Sequence, residues 1–504
     1  MPFWHYLCER SDAFEEMKRL INTILGLALA MTTAFAQNSI QSLVDQLAAQ
    51  EPLNGSVWGI YAVDASGRVL ASRNPGTRMM PASNRKLITT GVALHAFGPD
   101  YRFRTGLGYT GTIQADGTLE GDLYILGGGD PTIGTADSIA LRPDALFWKW
   151  KTLLREKGIQ RIHGRIIGDG SAHEGNLEHL SWNYDDLGTY YGTGGNALCF
   201  YENTIDMAVE ATSEGQPISL QQIYPETPWL EVTNYGITGP AGSGNSLFLF
   251  TTDVSHKAQM RGVFGIDRKP KVESASNKYG DLTCAYYFWK NLCDTGWEVT
   301  GGYAHVNRGG YIQGPDFVQA DKAVKPQVIG YTESPRLADI VRLTNVRSDN
   351  FYAESMLRAM GETATGVAVY DSCLVAERQV LQDMGLNLDS IRLADGSGLS
   401  HQNYVTPEWM VSYLQAMRES PAFGPFLASL PKPGEGTLSS IRFPGSGRVR
   451  MKSGSISGTL CYSGYILDDQ GQPVITFSIL TNNSLASTSE VRKTLVRIIR
   501  SLAE

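Results

Sequence analysis

What most constrains this chain is a change of texture in its middle. Both ends alternate strand-like and helix-like segments. From about Phe103 to Val324 the pattern becomes short alternating runs separated by glycine turns, such as LEGDLYILGGGDPTI and NSLFLFTTDV, which reads as mostly β. Before it, Ile40–Leu47 has the spacing of a short amphipathic helix, and Val57–Val63 and Arg68–Ser72 flank Ala65-Ser66-Gly67 as a hairpin. A helical run then opens at Ser83, after Pro81-Ala82, and stops at Gly98-Pro99. After the β-rich stretch come a strand (VIGY), two helices (SPRLADIVRLTNVRSDN and FYAESMLRAMG), and a hairpin of MKSGSISGTLCYSGYIL and PVITFSILTNN around Asp469-Gln470-Gly471. An amphipathic helix over Ser487–Leu502, with Val491, Leu495, Ile498 and Leu502 on one face, closes the chain. The expected architecture is therefore α/β (α+β), an antiparallel sheet flanked by helices and interrupted by a β-rich insertion. A length of 504 residues suits about three domains. We place one domain at 37–104 plus 326–504, and the insertion at 105–325 as two subdomains, with about 128–200 nested inside it.

Apolar residues at 42% against 19% charged residues leave ample material for a core and exclude a disordered chain. A formal charge of −8, with no run of like charge, excludes nucleic acid as a partner, because phosphate binding needs a basic face. Met17–Ala36 reads as a secretory signal peptide: Lys18-Arg19, an apolar run from Leu20 to Met31, and Ala34-Phe35-Ala36 as the cleavage site. The preceding segment, with Glu9, Asp12, Glu15 and Glu16, fits no signal, so translation is expected to start at Met17 and residues 1–36 to be leader. The run is too short for a bilayer crossing of about 20 apolar residues. The mature protein is thus expected to be exported, without an integral membrane segment.

Cys199, Cys284, Cys293, Cys373 and Cys461 remain after the leader, an odd number, so at least one stays a free thiol. Cys284 and Cys293 fall in a helical run, Leu282–Leu292, where nine positions rise about 13.5 Å, too far for a bridge. There is neither a CxxC nor an HExxH, and no metal or other cofactor is expected.

An exported enzyme without such motifs must supply its own nucleophile. G-x-S-x-G does not occur, which argues against an α/β-hydrolase elbow. Ser-x-x-Lys occurs at Ser83/Lys86 and at Ser429/Lys432, and the prolines Pro431 and Pro433 spoil the second as a helix. On a helix, residues three apart are neighbours, so Lys86 reaches the Ser83 hydroxyl. A lysine with an ordinary pKa of about 10.4 is a poor base at neutral pH; burial and a second cation would depress it. Lys452, in a KSG on a strand, offers that cation, and Ser348-Asp349-Asn350, at a junction between two helices, offers a proton relay. This ordered trio occurs in penicillin-binding proteins and class A β-lactamases.

Carrying these motifs, together with GDLYILGGGDPTI, WNYDDLGTYYG, DGSGLS (Asp395–Ser400) and SLPKPGEGTL leading into RMKSGSISG, the chain resembles the low-molecular-mass class C penicillin-binding proteins, the D-alanyl-D-alanine carboxypeptidase/endopeptidases of peptidase family S13. The resemblance spans most of the mature chain and implies a serine β-lactamase/transpeptidase-like catalytic domain. It implies that Ser83 is acylated, that Lys86 is its base, and that Ser348 and Asn350 handle the proton and orient the substrate amide. Lys452 and Ser453 would hold the substrate's terminal carboxylate, beside Gly454, and the backbone N–H groups of Ser83 and Ser455 would form the oxyanion hole. Trp182 and Asp185, with Tyr190 nearby, would meet the far end of the stem-peptide side chain; Ser400 would also bind substrate, as would the position after it, where His401 replaces the family's usual Arg. The implied partners are peptidoglycan stem peptides and acylating β-lactams, and the implied location is the periplasm. Two other readings stay open at this level: a β-lactamase or esterase of the same fold, and a non-catalytic peptidoglycan-binding protein.

Overall fold

The structure is a computed structural model that describes residues 40–173, 175–307, 317–319 and 325–504; the segment Met17–Ala36 lies outside them. Its organising element is a five-stranded antiparallel sheet in the spatial order Val69–Arg73, Val57–Asp64, Pro473–Asn482, Thr459–Leu467, Val449–Ile456. The first hairpin forms where the sequence places it, with Gly67 in the left-handed region at φ +84°. Val57–Asp64 pairs along its length with Pro473–Asn482, so the two ends of the described chain meet in one sheet and everything between must return to it.

The C-terminal part departs from the expected single hairpin. A second turn at Ser457-Gly458, with Gly458 at φ +66°, divides MKSGSISGTLCYSGYIL into two strands, so a three-stranded meander results. Strand alternation sorts its residues between two cores. Ile479 and Tyr462 face the helix over 40–48 and the helix Thr488–Ala503, through Val44, Val491, Leu495 and Ile498. Leu480 and Cys461 face the larger core with Leu87, Val92, Met356 and Tyr413. Thr488–Ala503 starts on a capping box in which Ser487 accepts from Glu490 N while the Glu490 carboxylate accepts from Ser487 N.

The chain leaves this domain through the strand Arg104–Tyr109 and returns through Gln327–Glu333, and these two strands pair antiparallel inside a six-stranded sheet. Sequence texture alone had given this region as mostly β, but two helices pack on it. Gly280–Asp294 contains the expected helical run and carries Cys284 buried and Cys293 exposed; both are free, as are Cys199, Cys373 and Cys461. Pro143–Glu156 was not anticipated. Its proline occupies the first turn and Leu146, Phe147, Trp150 and Leu154 bury one face at helical spacing. A separate small core of Ile205, Met207, Val209, Leu249, Met260 and Phe264 lies among short strands between Thr204 and Ser276. We accordingly propose edges of 104 and 333 for the insertion and 204–276, in place of about 128–200, for the nested unit. Residues 128–200 instead hold the helix Pro143–Glu156 and the short strands Arg161–His163 and Ile166–Asp169, and from 170 onward run as turns, as the aromatic, glycine-rich composition of that last part suits.

Candidate active site

Ser83 sits in a single 3-10 turn, Ala82–Asn84, that runs into the helix Arg85–Phe97. The turn is tight: Ala82 is left-handed at φ +46°, and two glycines let other backbone reach it. A Cβ on Gly398 would stand 2.0 Å from Ala82 O, and one on Gly454 would stand 2.5 Å from Pro81 O and 2.9 Å from Ser83 N. These clashes explain why DGSGLS and KSG carry glycine where they do. Gly454→Ala should destabilise the protein by about 1–3 kcal/mol through forced backbone movement and slow its acylation. Thermal unfolding and penicillin labelling measure both, and a variant matching wild type in each would contradict the close approach.

Lys86 is completely buried one turn on. Its Nζ lies 3.0 Å from Ser83 Oγ, 2.5 Å from Asn350 Oδ1 and 2.7 Å from Ser397 O. The last two oxygens only accept, whereas a hydroxyl can also donate. A neutral amine has two N–H groups and one lone pair, so satisfying both acceptors aims the lone pair at Ser83. Burial pushes the Lys86 ammonium down to about 8, against the attraction of Asp395, Glu354 and Asp349 and with help from Arg85. Desolvation therefore dominates, where the sequence suggested burial and a second cation together. Arg85 is itself locked in a fully buried pair with Glu377 at 2.5 Å.

Ser348 ends the helix Leu337–Arg347 in a left-handed conformation at φ +65°, and Asp349 caps the next helix, Asn350–Thr365, by accepting from Tyr352 N. This sharp turn between helices points two neighbouring residues of the second motif at the lysines. Ser348 Oγ accepts from Lys452 Nζ at 2.8 Å, and Asn350 accepts from Lys86 while its Nδ2 donates to Tyr191 O at 2.7 Å. Lys452, buried on the edge strand Val449–Ile456, also donates to Ser453 O at 2.7 Å. Burial, and secondarily the charge of Lys86, hold its ammonium far below the ordinary lysine range. The hydrogen-bond partners of both lysines among the described residues are neutral oxygens, so neither is held in a direct ion pair.

A cleft of about 600 Å³ opens over these groups, lined by Ser83, Ser348, Asn350 and Ser455 and, from the insertion, by Asp185, Tyr190 and Glu202. Its loop 178–192 is anchored by the buried pair Lys278–Glu178 and by Lys278 Nζ donating to Leu187 O at 2.5 Å. Two sequence-level expectations need correction. Trp182 is buried and donates through Nε1 to Asp395 Oδ2 at 3.0 Å, and the buried Ser400 pairs with Ser181 Oγ at 2.5 Å. Neither side chain lines the cleft; both join the insertion's loop to the Asp395–Asn403 turn. His401 does line it, 3.3 Å from Asn183 Nδ2, and the Ser453 hydroxyl lies 2.8 Å from Thr437 Oγ1. The discounted Ser429/Lys432 pair is apart from the cleft: Ser429 is buried against Asn345 and Lys432 pairs with Glu435.

Sequence reasoning missed Tyr191, Glu202 and Asp395. Tyr191 works through its carbonyl, which no side-chain pattern reveals. Asp395 accepts from Gly398 N, Ser400 N, Asn403 and Trp182, and its position at the head of DGSGLS was the available signal. Among the described residues no group of His, Cys, Asp and Glu could hold a metal, and no helix is long and apolar enough to cross a membrane.

A family model described as the D-Ala-D-Ala carboxypeptidase 3 (S13) family matches residues 40–502. The chain is similar to a D-alanyl-D-alanine carboxypeptidase of Actinomadura sp., 28% identical over 491 residues that cover 94% of this chain and 87% of the relative. It is also similar to the D-alanyl-D-alanine carboxypeptidase DacB of Haemophilus influenzae, 24% identical over 96% of this chain and 98% of the relative. Among solved structures, penicillin binding protein 4 (dacB) from Haemophilus influenzae superposes with a TM-score of 0.76 at 24% identity, over 91% of this chain and 98% of that one.

Proposed function

The chain belongs to the D-Ala-D-Ala carboxypeptidase 3 (S13) family, and from that premise we propose that it hydrolyses the terminal D-Ala-D-Ala bond, or a cross-bridge peptide bond, of peptidoglycan stem peptides through an acyl-enzyme on Ser83. The observation that carries this reading is the triple contact of Lys86 Nζ with Ser83 Oγ, Asn350 Oδ1 and Ser397 O, which leaves a neutral amine's lone pair directed at the nucleophile. Lys86 takes the Ser83 proton as Oγ bonds to the substrate carbonyl carbon. The developing oxyanion is held by the N–H groups of Ser83 and Ser455, each such donor being worth about 2.7–4 kcal/mol. When the C–N bond breaks, the proton passes to the leaving D-Ala amine, with Ser348 as the relay beside Lys452. Water then attacks the ester and restores Ser83.

Lys452, Ser453 and Thr437 suit the leaving group's carboxylate, which would give Lys452 a direct ion-pair partner and favour its charged form. Asp185, Tyr190 and His401 line the side of the cleft where the third stem residue would pass. Export by the signal peptide Met17–Ala36 to the periplasm would place the enzyme beside this substrate. Incubation with defined muropeptides should yield products lighter by one D-Ala or cleaved at the cross-bridge, identified by mass; unchanged muropeptides would overturn the reading. β-Lactams should acylate the enzyme and stay on it, whereas rapid turnover would mark a β-lactamase.

A further inference from the structure

The insertion contributes one carboxyl to the cleft from an unusual backbone. Three consecutive residues that are not glycine, Tyr201, Glu202 and Asn203, are left-handed, with φ of 55°, 53° and 53°. Such conformations persist only where the surroundings impose them, and they concentrate at functional sites. Here the surroundings are specific. Tyr201 N donates to Ile133 O and its hydroxyl to Asp206 Oδ2 at 2.8 Å, while Asn203 Nδ2 donates to Gly194 O at 2.9 Å and its Oδ1 accepts from Phe200 N. Gly280 leaves the room that Asn203 needs, since a Cβ there would stand 1.8 Å from Asn203 Oδ1. The turn delivers Glu202 into the cleft with Ser83, Ser348 and Asn350, where its carboxyl faces that of Asp349.

Two carboxyls hydrogen-bond only when one of them carries a proton. Burial raises the Asp349 carboxyl too, but Asp349 is the better anion of the two: it accepts from Tyr352 N at the start of a helix, where the dipole favours negative charge, and Lys86 and Arg347 oppose the rise. The proton therefore belongs to Glu202. The charged and titratable groups around it are consistent with that. Asp349 and Asp137 oppose its ionisation, and Arg347, which is paired with Asp137, favours it. Tyr352 donates its hydroxyl to Asp137 at 2.5 Å, and Cys199 and Tyr201 stand on Glu202's own segment. Burial, reinforced by Asp349, pushes Glu202 up to about 9.

Resting on the reading of Ser83 as nucleophile, we propose that Glu202 is a positioning residue for acyl transfer: its protonated carboxyl donates to Asp349 and so holds the Ser348–Asn350 turn in register with Lys86 and Lys452. Above about pH 9 Glu202 loses its proton, two carboxylates face each other, and the turn loosens. Glutamine keeps a donor and does not titrate, whereas alanine removes the hydrogen bond.

The test is the rate at which a fluorescent penicillin acylates the exported protein, from neutral to alkaline pH, in wild type, Glu202→Gln and Glu202→Ala. Wild type should lose rate above about pH 9, and Glu202→Gln should not. At neutral pH Glu202→Ala should acylate roughly tenfold to a hundredfold more slowly than wild type, with Glu202→Gln recovering most of that loss. An alkaline fall that is the same in Glu202→Gln would assign it to a group other than Glu202 and overturn the proposal, as would an alanine variant that reacts at the wild-type rate. Should Glu202→Ala fail to fold, the glutamine pH profile alone decides. A wild type that takes no label overturns the function itself, an outcome distinct from labelled variants that behave alike.

Discussion

Ser83→Ala should abolish covalent labelling by penicillin while leaving the protein folded. The hydroxyl is the only atom lost, and the 3-10 turn that carries it is held by backbone: Asn84 N donates to Pro81 O at 3.1 Å, and Gly398 and Gly454 pack against the turn. Removing the nucleophile of a serine hydrolase lowers kcat on the order of 10⁶-fold, and without Oγ no ester can form at all. Circular dichroism and the unfolding midpoint establish the folded state, and a gel of labelled protein reads the reaction. A folded variant that still labels would move the nucleophile elsewhere.

Lys86→Ala should slow acylation by about 10² to 10⁴, the range set by loss of a general base. Its pH dependence has a definite sign. The amine accepts the Ser83 proton only when neutral, and burial brings its pKa down to about 8, so the wild-type acylation rate should climb as pH rises through that value. That rising limb should vanish in Lys86→Ala. Lys86→Arg should not restore it, because a guanidinium stays protonated at every accessible pH. Alanine also leaves Asn350 Oδ1 and Ser397 O without their donor, so the unfolding midpoint should be measured beside the rate. A variant with a normal rate and the same rising limb would remove Lys86 from the chemistry.

Much of this site was legible because its signals are local. Ser83 and Lys86 share one turn, Ser348-Asp349-Asn350 lies between two periodic helical runs, and Lys452 sits in a strand with clear alternation. Those elements form where patterning puts them. What patterning missed depends on apposition across long sequence distances. Pro143–Glu156 was hidden in β-like texture because its apolar residues include aromatics that also suit strands. Trp182 resembled a ligand contact, but its N–H is used up on Asp395, more than two hundred residues later. Ser400, likewise, closes on Ser181. The insertion meets the catalytic domain through the Tyr191 carbonyl on Asn350 and lines the same cleft with Glu202 beside Asp349, and neither placement has a sequence signature. The insertion thus helps to build the cleft, where sequence texture presented it only as a β-rich interruption of the α/β domain.

The cluster of Ser83, Lys86, Ser348, Asn350 and Lys452 is most directly tested by locating the covalent bond itself. After incubation with benzylpenicillin, the protein should gain the mass of one intact drug molecule, and peptide mapping should place that mass on the fragment containing Ser83. An adduct on another fragment, or an intact mass unchanged after saturating exposure, would contradict the assignment.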